Sequence, residues 1–466
     1  MKKQSSLFAI GILISIYVTA QSSSGIEDKI QKIDELIEAN VNSLTPFSGS
    51  VLAAQNGEIV YTGAFGISDL NSGAKHTIDS KYFIGSLTKQ ITTVAILQLV
   101  EKGVLSFDDK MSHWLPQING SDQITIHHLL SHQSGLPRDS RQGYDKDVSH
   151  LDRALSIKDD NLLFEPGTAS EYSNVGFYVL SYILEEVSGL KYDKYFKEYI
   201  FKPAGMKNSG VRKNKEQKIK NLSLGIDRAL DEYGVDDFAH ARYFDSYSLA
   251  GGGSLYSTIN DMYKFHRAVE DAQLISEESV ELMKKRWSLE KEPRPFHTYG
   301  WEVWDYSTDQ NPYFIYGYSG RIYGYKAMHR YYKTEDIVVI VLTNSEFSER
   351  SILGQNIYRI LMDKEYDLPD PAPSKLRINE SMHKHIGNYD FPAEKTTVEI
   401  RIVNERMTLK SHGDKPMYIY PANDSTFYSD LIPLKITFKQ TAEEKTQLLE
   451  FNFGNEFVKD LERLEN

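Results

Sequence analysis

The stretch YFIGSLTKQITTVAILQLVEKG, Tyr82 to Gly103, decides how the chain is read. Ser86 and Lys89 stand three residues apart where a long apolar run begins. On a helix, positions i and i+3 share one face. A helix start also offers unpaired backbone N–H groups and a positive potential. A serine there has a lysine within reach and can turn its own N–H toward a developing oxyanion. The lysine must be neutral to take a proton, and burial beside other positive charge lowers its pKa. The bland alternative is a helix cap followed by a solvated lysine. The pattern alone does not choose: five S-x-x-K matches begin at Ser72, Ser86, Ser188, Ser288 and Ser381. Ser86 is singled out because a long apolar helix follows it and ends at Gly103, a good C′ residue.

A second stretch, FEPGTASEYSNVGFYVLSYIL, places Tyr172-Ser173-Asn174 just before another apolar helix, Asn174 to Gly189. A phenol can relay a proton and an amide can hold a substrate amide. A Pro-Gly turn ahead of them suits a loop that enters a site.

Around these stretches the order is helix, hairpin, helices, strands, helix. Residues Ile26 to Leu44 carry apolar positions at helical spacing. Asn56-Gly57 between two apolar runs predicts a tight hairpin. ITIHHLLSHQSGLP predicts a short helix stopped by Gly135 and Pro137, and much of 105–245 reads as helical. After SLAGGGSLYS a helix is expected, capped by Ser257 or Asn260. YFIYGYSGRIYGYKAMHRYY and DIVVIVLTNS have strand composition, and SILGQNIYRILMD reads as a helix. DLPDPAPSK, 367–375, reads as a linker. Beyond it, TTVEIRIV, ERMTLKS, MYIYPA, PLKITFKQ and TQLLEFNF pattern as short strands of a small antiparallel barrel or sandwich. The expected division is 1–20 signal peptide, 26–366 main domain, and 376–466 C-terminal β domain. The expected fold class is α+β: an antiparallel sheet flanked by helices, with a helical insertion, plus that small domain.

Composition narrows the function. The 466 residues carry a formal net charge of −12, which argues against nucleic acid as a partner. There is no cysteine, so disulfides, zinc–thiolate sites and thiol catalysis are excluded. His127, His128 and His132 invite a metal reading, but no glutamate stands between them as in H-E-x-x-H. No metal and no cofactor are expected. GVRKNKEQKIKN reads as a solvated charge run. The N-terminus has a basic start, an apolar core and small residues near Ala20. It reads as an export signal, shorter than a membrane span, and so predicts a periplasmic or secreted protein with no transmembrane segment in the mature chain.

From about Phe47 to Asp363 the chain resembles the serine beta-lactamase and penicillin-binding protein superfamily, in its class C-like branch. FIGSLTKQIT resembles its S-x-x-K element and FEPGTASEYSN its Y-x-N element. ITIHHLLSHQSGLP, FKPAGMKNSG and AGGGSLYSTINDMYKF are similar to further segments, in the same order. HIGNYDF resembles the opening of the small β domain often appended there. The branch holds D-alanyl-D-alanine carboxypeptidases, D-amino-acid peptidases, esterases and class C beta-lactamases. The resemblance implies a beta-lactamase-like fold and a metal-free acyl-enzyme mechanism with Ser86, Lys89 and Tyr172 as the catalytic residues and Asn174 holding substrate. The resemblance implies a small peptide or ester substrate, with D-amino-acid-containing peptides of cell-wall type expected, as for a D,D-carboxypeptidase or D-aminopeptidase, and peptidoglycan as a further candidate.

The family's third element is K-[ST]-G or H-x-G on a sheet edge strand. Here YGYSGRIYGY puts Tyr318-Ser319-Gly320 in that place. A neutral phenol replaces the expected cation, and Gly320 is kept, as close backbone approach requires. The resemblance implies that the N–H groups of Ser86 and Arg321 form the oxyanion hole. The Arg321 guanidinium could also replace the missing cation by binding a carboxylate. A beta-lactamase, an esterase and a non-catalytic peptidoglycan-binding homologue are the alternatives.

Overall fold

The computed structural model describes residues 25–43, 45–231, 234–289, 295–307, 313–369, 378–391, 396–403, 405–411, 416–429, 434–440, 447–452 and 458–464. The expected signal segment lies outside these residues, and the expected linker does so in part.

A seven-stranded antiparallel sheet organises the chain up to residue 369. Its order is Phe296–His297, Glu302–Asp305, Phe314–Ile322, Tyr325–Tyr332, Ile337–Thr343, Gly49–Gln55 and Glu58–Phe65. Asn56 and Gly57 both take positive φ, as the hairpin reading requires. Gly49–Gln55 lies against Ile337–Thr343 with Gly49 opposite Thr343, so segments far apart in sequence meet inside the sheet. Both strands are buried almost throughout, because each face of the sheet is covered.

Side chains alternate between the two faces. Val51, Ala53, Val339 and Val341 point into a core shared with helix 25–41 and helix Arg350–Leu361. Leu52, Ala54, Val338, Ile340 and Leu342 point into the larger core under the inserted segment. At the centre of that core runs helix Thr88–Glu101, with Thr88 through Leu99 all buried. Its buried residues include the polar Thr88, Lys89, Gln90, Thr92 and Thr93, so this helix is wrapped on every side as far as Leu99.

The inserted region is less helical than the sequence suggests. It holds Ile126–Leu130, His150–Leu155, Asn174–Ser188 and Tyr192–Phe196. It also contains a hairpin, Ile226–Asp231 with Gly234–His240. Helix Ile259–Glu270 is capped by Thr258, whose side chain accepts from Asp261 N, and not by Ser257 or Asn260. Ser257 instead lies in a short strand with its hydroxyl on Ser209.

The C-terminal strands close an eight-stranded antiparallel barrel, from Gly387–Phe391 round to Val458–Arg463. Tyr389 opposite Arg463 makes the closure. The five segments with strand pattern all form strands there. Gly387–Phe391, Thr426–Ser429 and Val458–Arg463 complete the ring. Its strand Met417–Pro421 approaches the hairpin strand Gly234–His240. Among the described residues no helix is long and apolar enough to cross a membrane.

Candidate active site

Ser86 sits in a 3-10 turn, Gly85–Leu87, that runs directly into helix Thr88–Glu101. The turn is fixed from outside the helix. Ile84 N–H donates to Leu255 O at 2.9 Å. The strand Phe314–Ile322 lies against it so closely that a methyl group on Gly320 would come within 1.9 Å of Ile84 O and 3.2 Å of Ser86 N. That strand is third in the sheet, not at its edge. It pairs with Glu302–Asp305 only from Phe314 to Gly317. Tyr318 to Ile322 therefore run free on that side, beside the nucleophile turn, which gives locally the edge that the sequence reading assigned to the whole strand. The backbones of Ser86 and Arg321 come together there.

Lys89 is fully buried (0 % exposed). Its Nζ donates to Asn174 Oδ1 at 2.7 Å and to Gly252 O at 2.6 Å, and stands 3.4 Å from Ser86 Oγ. Burial pushes its pKa well below the lysine range. Asp139 opposes that shift and Arg138 adds to it. A neutral amine has two N–H groups and one lone pair. Asn174 and Gly252 take the two N–H groups, which leaves the lone pair for the Ser86 hydroxyl. Gly252 can present its carbonyl because a side chain there would meet Tyr178 at 2.8 Å.

The Ser86 hydroxyl also lies 2.7 Å from the Tyr172 hydroxyl. Burial pushes the Tyr172 phenol up to about 12, with hydrogen bonding to Ser86 partly opposing it. Tyr172 therefore rests as a phenol, able to pass a proton on. The adjoining helix explains its placement. Ser173 caps Asn174–Ser188 by accepting from Gly176 N at 3.1 Å, and donates to Pro137 O at 2.8 Å. Gly189, at positive φ, ends that helix as expected.

Ser86, Lys89, Tyr172 and Asn174, read from separate motifs, thus form one hydrogen-bonded cluster. The other four S-x-x-K serines stay outside it. Ser188, for instance, lies at a helix end, and its lysine, Lys191, pairs with Glu185. A cleft of about 840 Å³ opens over Ser86, lined among others by Tyr172, Asn174, Tyr318, Ser319 and Gly320.

The third element departs from expectation in two ways. Tyr318 is buried, its hydroxyl interacts with that of Tyr172, and burial pushes its pKa well up. It brings no charge to the cleft. Arg321 does not fill the gap: its exposed guanidinium bonds Glu346 at 2.9 Å. Cations do lie nearby. Arg330 donates to Ser319 Oγ at 3.0 Å and to Tyr318 O at 2.9 Å, and Arg350 lines the cleft.

The three histidines of HHLLSH have separate tasks. His127 Nδ1 meets Tyr299 hydroxyl, His128 Nδ1 accepts from Thr125 N in a capping box, and His132 Nδ1 accepts from Ser173 N. Sequence reading missed Gly252, Arg138 and Asp139. The last of these accepts from Asn174 Nδ2 at 2.7 Å. Arg138 and Asp139 directly follow the HHLLSHQSGLP segment, so proximity to a recognised segment was the available signal. Gly252 lies within a recognised landmark, but its contact spans 163 residues.

Residues 33–361 match the profile of the family described as Beta-lactamase. Penicillin-binding protein 4* of Bacillus subtilis (strain 168) is 28% identical over 429 residues, covering 88% of this chain and 94% of that protein. The octameric penicillin-binding protein homologue from Pyrococcus abyssi has a TM-score of 0.62 at 23% identity, over 96% of this chain and 100% of that one. D-amino acid amidase from Ochrobactrum anthropi SV3 has a TM-score of 0.63 at 20% identity, over 72% of this chain and 99% of its own. At these identities the two structures show likeness of fold.

Proposed function

Because the chain belongs to the beta-lactamase family and is a serine hydrolase of it, we propose that it cleaves amide or ester bonds through an acyl-enzyme on Ser86, with D-amino-acid peptides of cell-wall type as its substrate class. The observation that carries this reading is the buried Lys89 with both N–H groups engaged and Ser86 Oγ on its remaining side.

Ser86 Oγ attacks the carbonyl carbon, and its proton passes to Lys89 directly or through Tyr172. The N–H groups of Ser86 and Arg321 receive the negative oxygen. Tyr172 is placed to return the proton to the leaving nitrogen or oxygen. Asn174 orients the substrate amide. Water then attacks the acyl carbonyl, releases the acid and restores the Ser86 hydroxyl. The names of relatives support the peptide reading: one is a penicillin-binding protein and one a D-amino acid amidase. The basic start and apolar core of the N-terminal segment support a site of action outside the cytoplasmic membrane.

An esterase is the second reading, and Tyr318 favours it. With a neutral phenol where the family has a cation, attraction for a substrate carboxylate is weakened on that side of the cleft. The test is direct: supply a D-alanyl-D-alanine peptide, a D-amino acid amide, p-nitrophenyl acetate and nitrocefin. The peptide reading expects turnover of the first or second that is lost in Ser86→Ala. Turnover of the ester alone would replace it with the esterase reading, and fast nitrocefin turnover with the beta-lactamase reading.

A further inference from the structure

The dipeptide Arg138-Asp139 lies on the segment after helix Ile126–Leu130, and no catalytic motif contains it. With Pro137 before it, the dipeptide is nevertheless bound to the Y-x-N element at three consecutive residues. Ser173 Oγ donates to Pro137 O at 2.8 Å and Asn174 N–H donates to Arg138 O at 2.7 Å. Asn174 Nδ2 donates to Asp139 Oδ1 at 2.7 Å. The same oxygen accepts from Tyr144 hydroxyl at 2.6 Å, which fixes the carboxylate. The Arg138 guanidinium lies over the Tyr172 ring, 4.8 Å from its centroid. The two charges themselves stand 3.7 Å apart.

We propose that Arg138 and Asp139 are positioning residues for the Lys89–Tyr172 proton-transfer pair, Asp139 by holding the Asn174 amide so that its oxygen faces Lys89, and Arg138 by lying over the Tyr172 ring. The inference rests on the acyl-enzyme reading above. An amide can turn over, exchanging its oxygen and nitrogen. With Nδ2 held on a carboxylate, only Oδ1 can face Lys89, where it accepts at 2.7 Å. A flipped Asn174 would present an N–H to an N–H and release the amine.

The groups facing Lys89 are few. Ser86 comes from its own helix turn, Tyr172 and Asn174 from the Y-x-N element, the Phe177 ring from the following helix and the Gly252 carbonyl from the glycine turn. His132 is buried and stays neutral, its pKa well below the histidine range through burial. Asp139 and Arg138 are therefore the fixed charges that act on Lys89, one raising and one lowering its pKa. Tyr172 feels Arg138 in the same downward direction, against Glu302 acting upward.

The experiment is the pH dependence of covalent labelling of Ser86 by a fluorophosphonate probe, which needs no knowledge of the natural substrate. Asp139→Asn keeps an acceptor for the Asn174 amide and removes the charge. Lys89 then loses its proton more easily, and the acid limb of the profile moves to lower pH by about one unit. Arg138→Gln moves it to higher pH by a similar amount. Asp139→Ala frees the amide and lowers the plateau rate at least about tenfold, while Asp139→Asn holds it near wild type. Charge variants that superimpose on wild type, or shift the same way, overturn the proposal. Should Asp139→Ala fail to fold, the two charge variants still decide. An unlabelled wild type overturns the acyl-enzyme reading and this inference with it, whereas a labelled wild type with coincident profiles overturns this inference alone.

Discussion

At Arg321 two roles expected of one residue separate. Its backbone N–H lies beside the nucleophile turn, whereas its side chain points to solvent and pairs with Glu346. An exposed pair of this kind contributes at most about 1 kcal/mol. Arg321→Ala is therefore expected to retain fluorophosphonate labelling within about threefold of wild type. A loss of a hundredfold would show that the guanidinium itself binds at the site. Ser86, Lys89, Tyr172 and Asn174 were legible because each sits at the start of an apolar helix, in a short pattern whose chemistry is local. Asp139 was not. Its task is to hold an amide 35 residues away, and nothing in its own neighbourhood of sequence announces that. Tyr318 was legible as a departure, but its burial against Tyr172 follows from packing that the sequence does not display.

The strand Phe314–Ile322 and the turn Gly85–Leu87 form the decisive contact between elements. They meet without side chains: Gly320 faces the Ile84 carbonyl, and Gly85 takes a φ of 51° with Arg321 N 2.8 Å from where a methyl would stand. Backbone atoms cannot swing aside as a flexible side chain does. Gly320→Ala is expected to push the strand from the turn and part the two oxyanion donors. Loss of one such donor costs about 10²–10³ in rate. Labelling should fall accordingly while the near-ultraviolet circular dichroism stays that of wild type. Labelling at the wild-type rate would mean the strand does not complete the site. The elements themselves were legible where one period dominated, as in the Asn56-Gly57 hairpin and helix Thr88–Glu101. The hairpin Ile226–His240 was missed because its sequence, IDRALDEYGVDDFAH, mixes acidic and apolar residues without a regular alternation. The cap at Thr258 was missed by one residue, since Ser257, Thr258 and Asn260 all suit that position and only the backbone distinguishes them.

Across the whole molecule, buried neutral histidines tie stability to pH. Burial lowers His76 and His297 to about 4 and His329 to about 3. Their unfolded value is about 6.5. Between these limits the unfolded chain binds protons that the folded one refuses, so stability is complete above about pH 6.5 and is lost as pH falls toward 4. Each such group costs on the order of 1 kcal/mol per pH unit in that window. The melting temperature is expected to be clearly lower at pH 5 than at pH 7, and an unchanged value would place these imidazoles in contact with solvent. The scale of the whole chain is also where the sequence was least explicit about closure: a barrel or sandwich was foreseen, but the pairing of Tyr389 with Arg463 that closes the ring joins strands some 75 residues apart. Ser86, activated by Lys89 and Tyr172, is expected to become acylated. Incubating the protein with a penicillin or a fluorophosphonate and measuring the mass of the chain and of its peptides tests it most directly. One adduct is expected, on the peptide holding Ser86, and none on Ser86→Ala; an unmodified wild type, or an adduct that survives Ser86→Ala, would rule out Ser86 as the nucleophile.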